Sequence, residues 1–236
     1  MPEIKVLTVQ SGQAEDIGDP TATDPMERLW TSAIYRKQIN GPVWVSKEGL
    51  PDDEHVYEGH GGPEKAVLAS AVEHYTHWQE SLGLAQMPHG GFGENLTTQG
   101  LLENEACIGD IYRVSDGLII QITQARPPCW KLSRRFRRFE LSRLMEESGR
   151  TSIFLRVLEE GYVQAGDTIT LLERPNPDWT VARAYSIYCS VATHLEEAHQ
   201  LAVLPAFSEQ MRPDLEEFLA RGSSPDFTGR LVGPNL

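Results

Sequence analysis

Between Ile4 and Glu173 the chain alternates short stretches of strand character with glycine-containing turns, and this rhythm constrains the fold more than any other feature. The segments "IKVLTVQ" and "PVWVSKEGL" carry the β-branched, alternating pattern of half-buried strands. "EACIGDIYRV", "GLIIQITQ", "TSIFLRVL" and "GDTITLLE" continue the series. Gly109-Asp110 and Gly166-Asp167 each stand between an apolar residue and a strand, and Asp116-Gly117 joins two strands as a tight hairpin would. Turns at such short intervals favour a closed or nearly closed antiparallel barrel.

Helices interrupt this pattern. From Glu64 to Trp78, the apolar residues Val67, Leu68, Ala71, Val72 and Tyr75 follow a 3.6-residue period and predict a helix. A shorter helix is expected in "FELSRLMEES", stopped by Gly149. After "LLERPNPDW" the pattern changes: Pro175 and Pro177 break the last strand, and Asp178 is placed to cap a helix starting near Trp179. "TVARAYSIYCSV", "THLEEAHQLAVL" and "FSEQMRPDLEEFLARG" are helical in period, and the last fifteen residues are expected to form a loosely held tail. The chain thus reads as mainly β, a barrel with interspersed helices over residues 1–173, followed by a small α-helical C-terminal domain over residues 174–236.

A formal charge of −13 disfavours nucleic-acid backbone as a general partner, because phosphates are bound by neutralising cations. No apolar run approaches the roughly 20 residues of a membrane span, and "MPEIKVLTVQSG" lacks the pattern of a secretory signal. A cytoplasmic location with no membrane partner is therefore expected. The three cysteines, Cys107, Cys129 and Cys189, are widely spaced without a C-x-x-C pair, which excludes a disulfide framework, a zinc knuckle and a four-thiolate cluster. Any thiol chemistry must come from one cysteine acting alone.

Three stretches could carry chemistry. In "GHGGPEKAV", residues 59–67, Gly61 and Gly62 allow close backbone approach and Pro63 suits a first helical turn. The stretch reads either as an anion site or as a sharp strand-to-helix turn. In "GGFGENLTTQGL", Glu94 and Asn95 follow a glycine turn and suit hydrogen bonding to a heterocycle, although such loops are often no more than loops. In "QARPPCWKLSRRFRR", Pro127 and Pro128 stiffen the approach to Cys129, and Arg126 and Lys131 favour its thiolate. The alternative is a structural cysteine followed by an exposed basic face. His74 and His77 have the spacing of a metal pair, but no carboxylate-rich helix supports one; Cys107 and Cys189 read as packing residues, and Trp78 and Trp130 either line a pocket or, as is more usual for a single aromatic, pack in the core.

Taken in order, "HGGPEKAV", "FGENLTTQGL", "IGDIYRV" and "ITQARPPCWKL" resemble the MOSC domain family, named for the C-terminal domain of molybdenum cofactor sulfurase, and within it the YiiM-like branch. The likeness covers most of residues 1–172, and the remaining helices resemble the small three-helix domain of that branch. The resemblance implies a cleft holding a molybdopterin-type molybdenum cofactor, with Cys129 as both catalytic residue and molybdenum ligand. It further implies cofactor contacts from His60, Gly61, Gly62, Asn95, Thr97, Arg126 and Lys131, with Arg134, Arg135, Arg137 or Arg138 as further candidates for the phosphate. Pyridoxal phosphate is not expected.

The activity implied is reduction of N-hydroxylated compounds, such as hydroxylaminopurine-type bases and amidoximes, with His60 or Glu94 delivering protons. No flavin, haem or iron–sulfur module is recognisable, so electrons would come from a separate reductase. A homodimer is compatible with this reading. The alternative is a cofactor-binding or sulfur-carrier protein without turnover of its own. A cysteine-nucleophile hydrolase would need a histidine base near Cys129, and no spacing in the sequence indicates one.

Overall fold

The computed structural model describes residues 3–57 and 59–236. In chain order the strands are β1 (Ile4–Ser11), β2 (Glu15–Ile17), β3 (Trp30–Ser32), β4 (Lys37–Ile39), β5 (Val43–Val45), β6 (Val67–Ala71), β7 (Leu96–Gln99), β8 (Ile111–Val114), β9 (Leu118–Ala125), β10 (Ile153–Glu159), β11 (Gly161–Val163) and β12 (Thr168–Glu173). The helices are α1 (Glu73–Leu82), α2 (Trp130–Phe136), α3 (Leu141–Ser148), α4 (Val181–Cys189), α5 (Leu195–Ala202), α6 (Arg212–Arg221) and α7 (Thr228–Val232).

Strands β12, β8, β9, β10, β6, β7 and β1 pair in that order, and β12 returns to β1 to close a seven-strand barrel; β4 extends it beside β1. Alternation works as the sequence suggests: Leu118, Ile120 and Ile122 of β9 and Ile153, Leu155 and Val157 of β10 point into one buried core. The barrel is mixed rather than wholly antiparallel, because β6 and β7 run parallel, with Ala69 opposite Leu96. Helix α1 lies between them in sequence and supplies the crossover a parallel pair requires.

That pairing overturns the helix expected over residues 64–78. A short 3-10 turn at Pro63–Lys65 leads into β6, whose five residues are all buried, and α1 begins only at Glu73. Strand β6 is covered on both faces, so its apolar run is continuous and mimics a helical stripe. A smaller shift occurs at α4, where Thr180 rather than Asp178 is the cap, accepting from the Arg183 amide at 3.2 Å. Helix α3 ends at Gly149 in the left-handed conformation, as expected.

Strand β12 ends at Glu173, where the sequence places a boundary, yet the following helices share the barrel's core. Tyr185, Ile187, Leu201 and Leu215 belong to the same buried cluster as Val6, Leu96 and Ile122. Nor is the C-terminal segment loose: Asn235 is 5% exposed and α7 packs against α2 and α3. Among the described residues, no helix is long and apolar enough to cross a membrane.

Candidate functional site

Cys129 owes its position to the way β9 ends. Ile153 pairs with Ala125, and the Arg126 amide extends the ladder by bonding the Ser152 carbonyl at 2.9 Å. Pro127 and Pro128 have no N–H, so pairing stops there and the chain leaves the sheet. Cys129, in extended backbone, is the residue immediately before α2. Its carbonyl accepts from the Ser142 hydroxyl of α3 at 2.6 Å, which ties the turn to the neighbouring helix.

The opposite wall is the glycine turn before β7. Gly90 and Gly93 both adopt φ near +77°, a region that favours glycine. The Glu94 carboxylate lies inside this turn, accepting from the Gly90 amide at 2.8 Å, the Phe92 amide at 3.0 Å, the Thr97 hydroxyl at 2.8 Å and the Tyr75 hydroxyl. It is 0% exposed, so it holds the loop together and is not placed to deliver protons to a ligand. Thr97 is equally buried and lies outside the cleft lining; the contact implied for it is replaced by its bond to Glu94.

The cleft between these walls holds about 630 Å³ of space, mouth included, and its lining brings together His60, Gly61, Asn95, Arg126, Cys129 and Lys131. Gly62 does not reach the lining. Asn95 presents itself there with its amide already committed: it accepts from the Leu68 amide at 3.0 Å and donates to Asp53 at 2.9 Å and to the Gln10 carbonyl at 3.3 Å. Gly61, at φ +75°, lies against the His55 ring so closely that a Cβ would strike it.

The decisive feature is Arg126. Its side chain is buried, and Nη1 has no hydrogen-bond partner among the described residues. Burial lowers the guanidinium pKa while Cys129 draws it back up. A cation kept in that condition is unfavourable unless something anionic meets it. Lys131, which donates to the Thr31 carbonyl at 2.9 Å, and Lys65, which donates to the Gly59 carbonyl at 2.8 Å, add positive charge to the same lining. Burial depresses both lysines. His60 stands exposed at the mouth, and partial loss of solvation against the lining, then the charges of Arg126, Lys65, His55 and Lys131, lower its pKa from the ordinary imidazole value. It is therefore neutral at pH 7 in the free protein and poorly suited to supply a proton there.

Arginines beyond Cys129 are otherwise engaged. Arg134 donates to the Asn235 side chain at 2.7 Å and to the carbonyls of Arg28 and Pro234; Arg135 donates to the Ile34 carbonyl and lies over the Tyr35 ring. Arg138 donates to the Leu82 carbonyl at 2.9 Å, and Arg137 pairs with Glu27 at the surface. None of the four lines the cleft.

Sequence reasoning missed several residues that share the lining. Arg36 pairs with Asp53, and Asp53 also accepts from the Gly12 amide at 2.9 Å and lies 3.9 Å from His55. Acid and histidine stand together in "DDEHVYEGHGG", and Lys65 lies within "GHGGPEKAV"; those were the available signals. His74 is no metal ligand paired with His77, since it bonds Glu103 at 2.6 Å while His77 packs edge-on against Trp78. Among the described residues, no cluster of three or more histidine, cysteine or acidic side chains is arranged to hold a metal. Cys107 is buried with Sγ 3.5 Å from the Pro177 carbonyl, and burial pushes Cys189 up to about 12.

The comparisons with known proteins fall on this same region. The family model described as "MOSC domain" matches residues 56–170, a span that runs from the His60 turn through Cys129 to β12. Protein YiiM of Escherichia coli (strain K12) is 32% identical over 207 residues, which cover 86% of this chain and 91% of that protein. A protein named "Reductase" from Gibberella moniliformis (strain M3125 / FGSC 7600) is 40% identical over 158 residues, 64% of this chain but 27% of that longer protein. The crystal structure of YiiM from Geobacillus stearothermophilus superposes with a TM-score of 0.75 at 29% identity, covering 92% of this chain and 99% of that one. With the motifs, the barrel and near-full-length relatives in agreement, the chain belongs to the MOSC domain family, which is associated with the molybdenum cofactor.

Proposed function

We propose that this protein is a molybdenum-cofactor-dependent oxidoreductase that reduces N-hydroxylated compounds, with Cys129 as the protein ligand of molybdenum. The observation that carries the reading is the pairing, in one cleft, of a free thiol with a buried guanidinium that no described residue satisfies. The donor set fits the cofactor. Thiolate suits a soft metal, and Arg126, Lys65 and Lys131 suit an anionic phosphate and dithiolene. Cys107 and Cys189 lie outside that lining.

When bound, the cofactor supplies the two electrons of the reduction, received in turn from a separate electron-donor protein. The balance is R–NHOH plus two electrons and two protons giving R–NH2 and water: the N–O bond breaks, one added proton goes to the nitrogen and the other to the departing hydroxyl oxygen, which leaves as water. Within this scheme Cys129 holds the metal, and Arg126 holds the anionic part of the cofactor. Phe92 and Phe154 give the cleft apolar wall, which limits water around the reacting group. Anionic charge in the cleft would offset the cations around His60 and raise its pKa part of the way, against the desolvation that contributes most to lowering it. The name of the Gibberella relative supports a reductase in general; amidoximes and hydroxylaminopurine-type bases are the substrates proposed.

The test is turnover. Holoprotein purified from cofactor-competent cells, given a low-potential chemical reductant, is expected to convert benzamidoxime and 6-hydroxylaminopurine to benzamidine and adenine. Molybdenum-loaded protein that reduces neither would overturn the reductase reading in favour of a cofactor or sulfur carrier, for which persulfide on Cys129 is the corresponding signature.

A further inference from the structure

The two backbone carbonyls that flank Cys129 are both held by the end of the chain. Arg230 of α7 donates Nη1 to the Pro128 carbonyl, and Asn235 donates Nδ2 to the Trp130 carbonyl at 3.2 Å. Each of these side chains is anchored at its other end. Arg230 pairs with Glu146 of α3, which also accepts from the Tyr185 hydroxyl of α4 at 2.9 Å, and its guanidinium lies 4.1 Å from the Phe227 ring centroid. Asn235 accepts from Arg134 Nε at 2.7 Å, and Arg134 Nη2 reaches the Pro234 carbonyl at 3.0 Å. Gly233 lies directly on the Trp130 ring, where any side chain would collide with it.

We infer that residues 227–235 form a strap that fixes Cys129, with Arg230 and Asn235 as its positioning residues. Pro127 and Pro128 end the ladder of β9, so Cys129 has no sheet partner to hold it. Side chains from outside α2 hold all three carbonyls around it: Arg230 at Pro128, Asn235 at Trp130, and Ser142 at Cys129, whose carbonyl also accepts from the Leu132 amide at 3.0 Å. Two of these three clamps come from the strap. This explains a tail buried to the degree of Asn235, and a use for Arg134 that has nothing to do with binding a ligand. The inference concerns where the thiol sits and stands apart from what the thiolate binds.

Amide hydrogen exchange with peptide resolution tests it in the cofactor-free full chain. Arg230→Ala and Asn235→Asp are compared with wild type and with Leu236→Ala, whose side chain is exposed. Asn235→Asp is the sharper variant, because it keeps the acceptor for Arg134 and removes the donor to Trp130. Both positioning variants are expected to speed exchange at Leu132, Ser133 and Arg134, the amides of the first turn of α2, of which Leu132 donates to the Cys129 carbonyl at 3.0 Å, about tenfold, with β9 and β10 unchanged. They should also lower molybdenum content in chains expressed with cofactor, and Arg230→Lys should restore part of both effects. Unchanged exchange at residues 132–134, or faster exchange spread evenly over the barrel, would overturn the strap. If the wild type itself holds no molybdenum, the proposed function fails while the exchange result still decides the strap.

Discussion

Two sets of cations lie on either side of Cys129, and they are treated in opposite ways. On the α2 side, Arg134, Arg135 and Arg138 donate to carbonyls and an amide oxygen of neighbouring segments, so their charge is spent on holding the fold. In the cleft, Lys65 and Lys131 each donate to a single carbonyl and are depressed by burial, while Arg126 is buried with Nη1 unmet. The denser run of positive charge is therefore the structural one, and the isolated arginine is the one left for a ligand. Hydrogen-bond satisfaction separates the two roles where charge density alone misassigns them.

The comparison breaks most visibly at Arg126. Arg126→Met should weaken binding of anionic ligands roughly a hundredfold, since the partner charge is lost. The same change should stabilise the cofactor-free fold by about 1 kcal/mol or more, because an unmet buried charge is removed. Isothermal titration with sulfate and a denaturant melt measure the two effects. Arg138→Met should give the reverse pattern, a loss of about 1 kcal/mol, chiefly for the bond to the Leu82 carbonyl, with sulfate affinity unchanged. A variant at Arg138 that lost sulfate binding without losing stability would erase the distinction.

The smallest expected effect is on pH dependence. His60 is depressed in the free protein, so its protonation opposes folding: this contribution to stability is present above the unfolded imidazole pKa of about 6.5 and is lost as pH falls below it. A bound anion offsets the surrounding cations and raises His60 towards its ordinary value, so binding takes up a proton. Sulfate, dianionic throughout, should bind a few-fold more tightly at pH 6 than at pH 8, and His60→Gln should flatten that slope. A slope that persists in the variant would assign the proton elsewhere.

Much of this was legible before the fold was known. Strands with one buried face, such as β9 and β10, announce themselves by alternation, and α3 by its period and its glycine stop. Strand β6 does not, since burial of Val67 to Ala71 on both faces leaves no alternation to read. Cys129, Arg126 and Lys131 could be singled out because proline, thiol and cation are neighbours in sequence. Arg36 and His55 could not, because only folding brings their separate segments to the cleft that holds Cys129. Thr97 and Glu94 show the converse: polar residues in the right motif whose groups are consumed by the loop they belong to. The strap was hidden for a related reason, its glycines and prolines having the composition of a loose tail while its arginine and asparagine act over about 100 positions of sequence.

The most direct measurement is molybdenum per chain by elemental analysis, comparing wild type with Cys129→Ser, Cys107→Ser and Cys189→Ser after expression in cofactor-competent cells. The account predicts metal near one per chain in wild type and in the Cys107 and Cys189 variants, and none in a folded Cys129→Ser. Undiminished molybdenum in Cys129→Ser would contradict it.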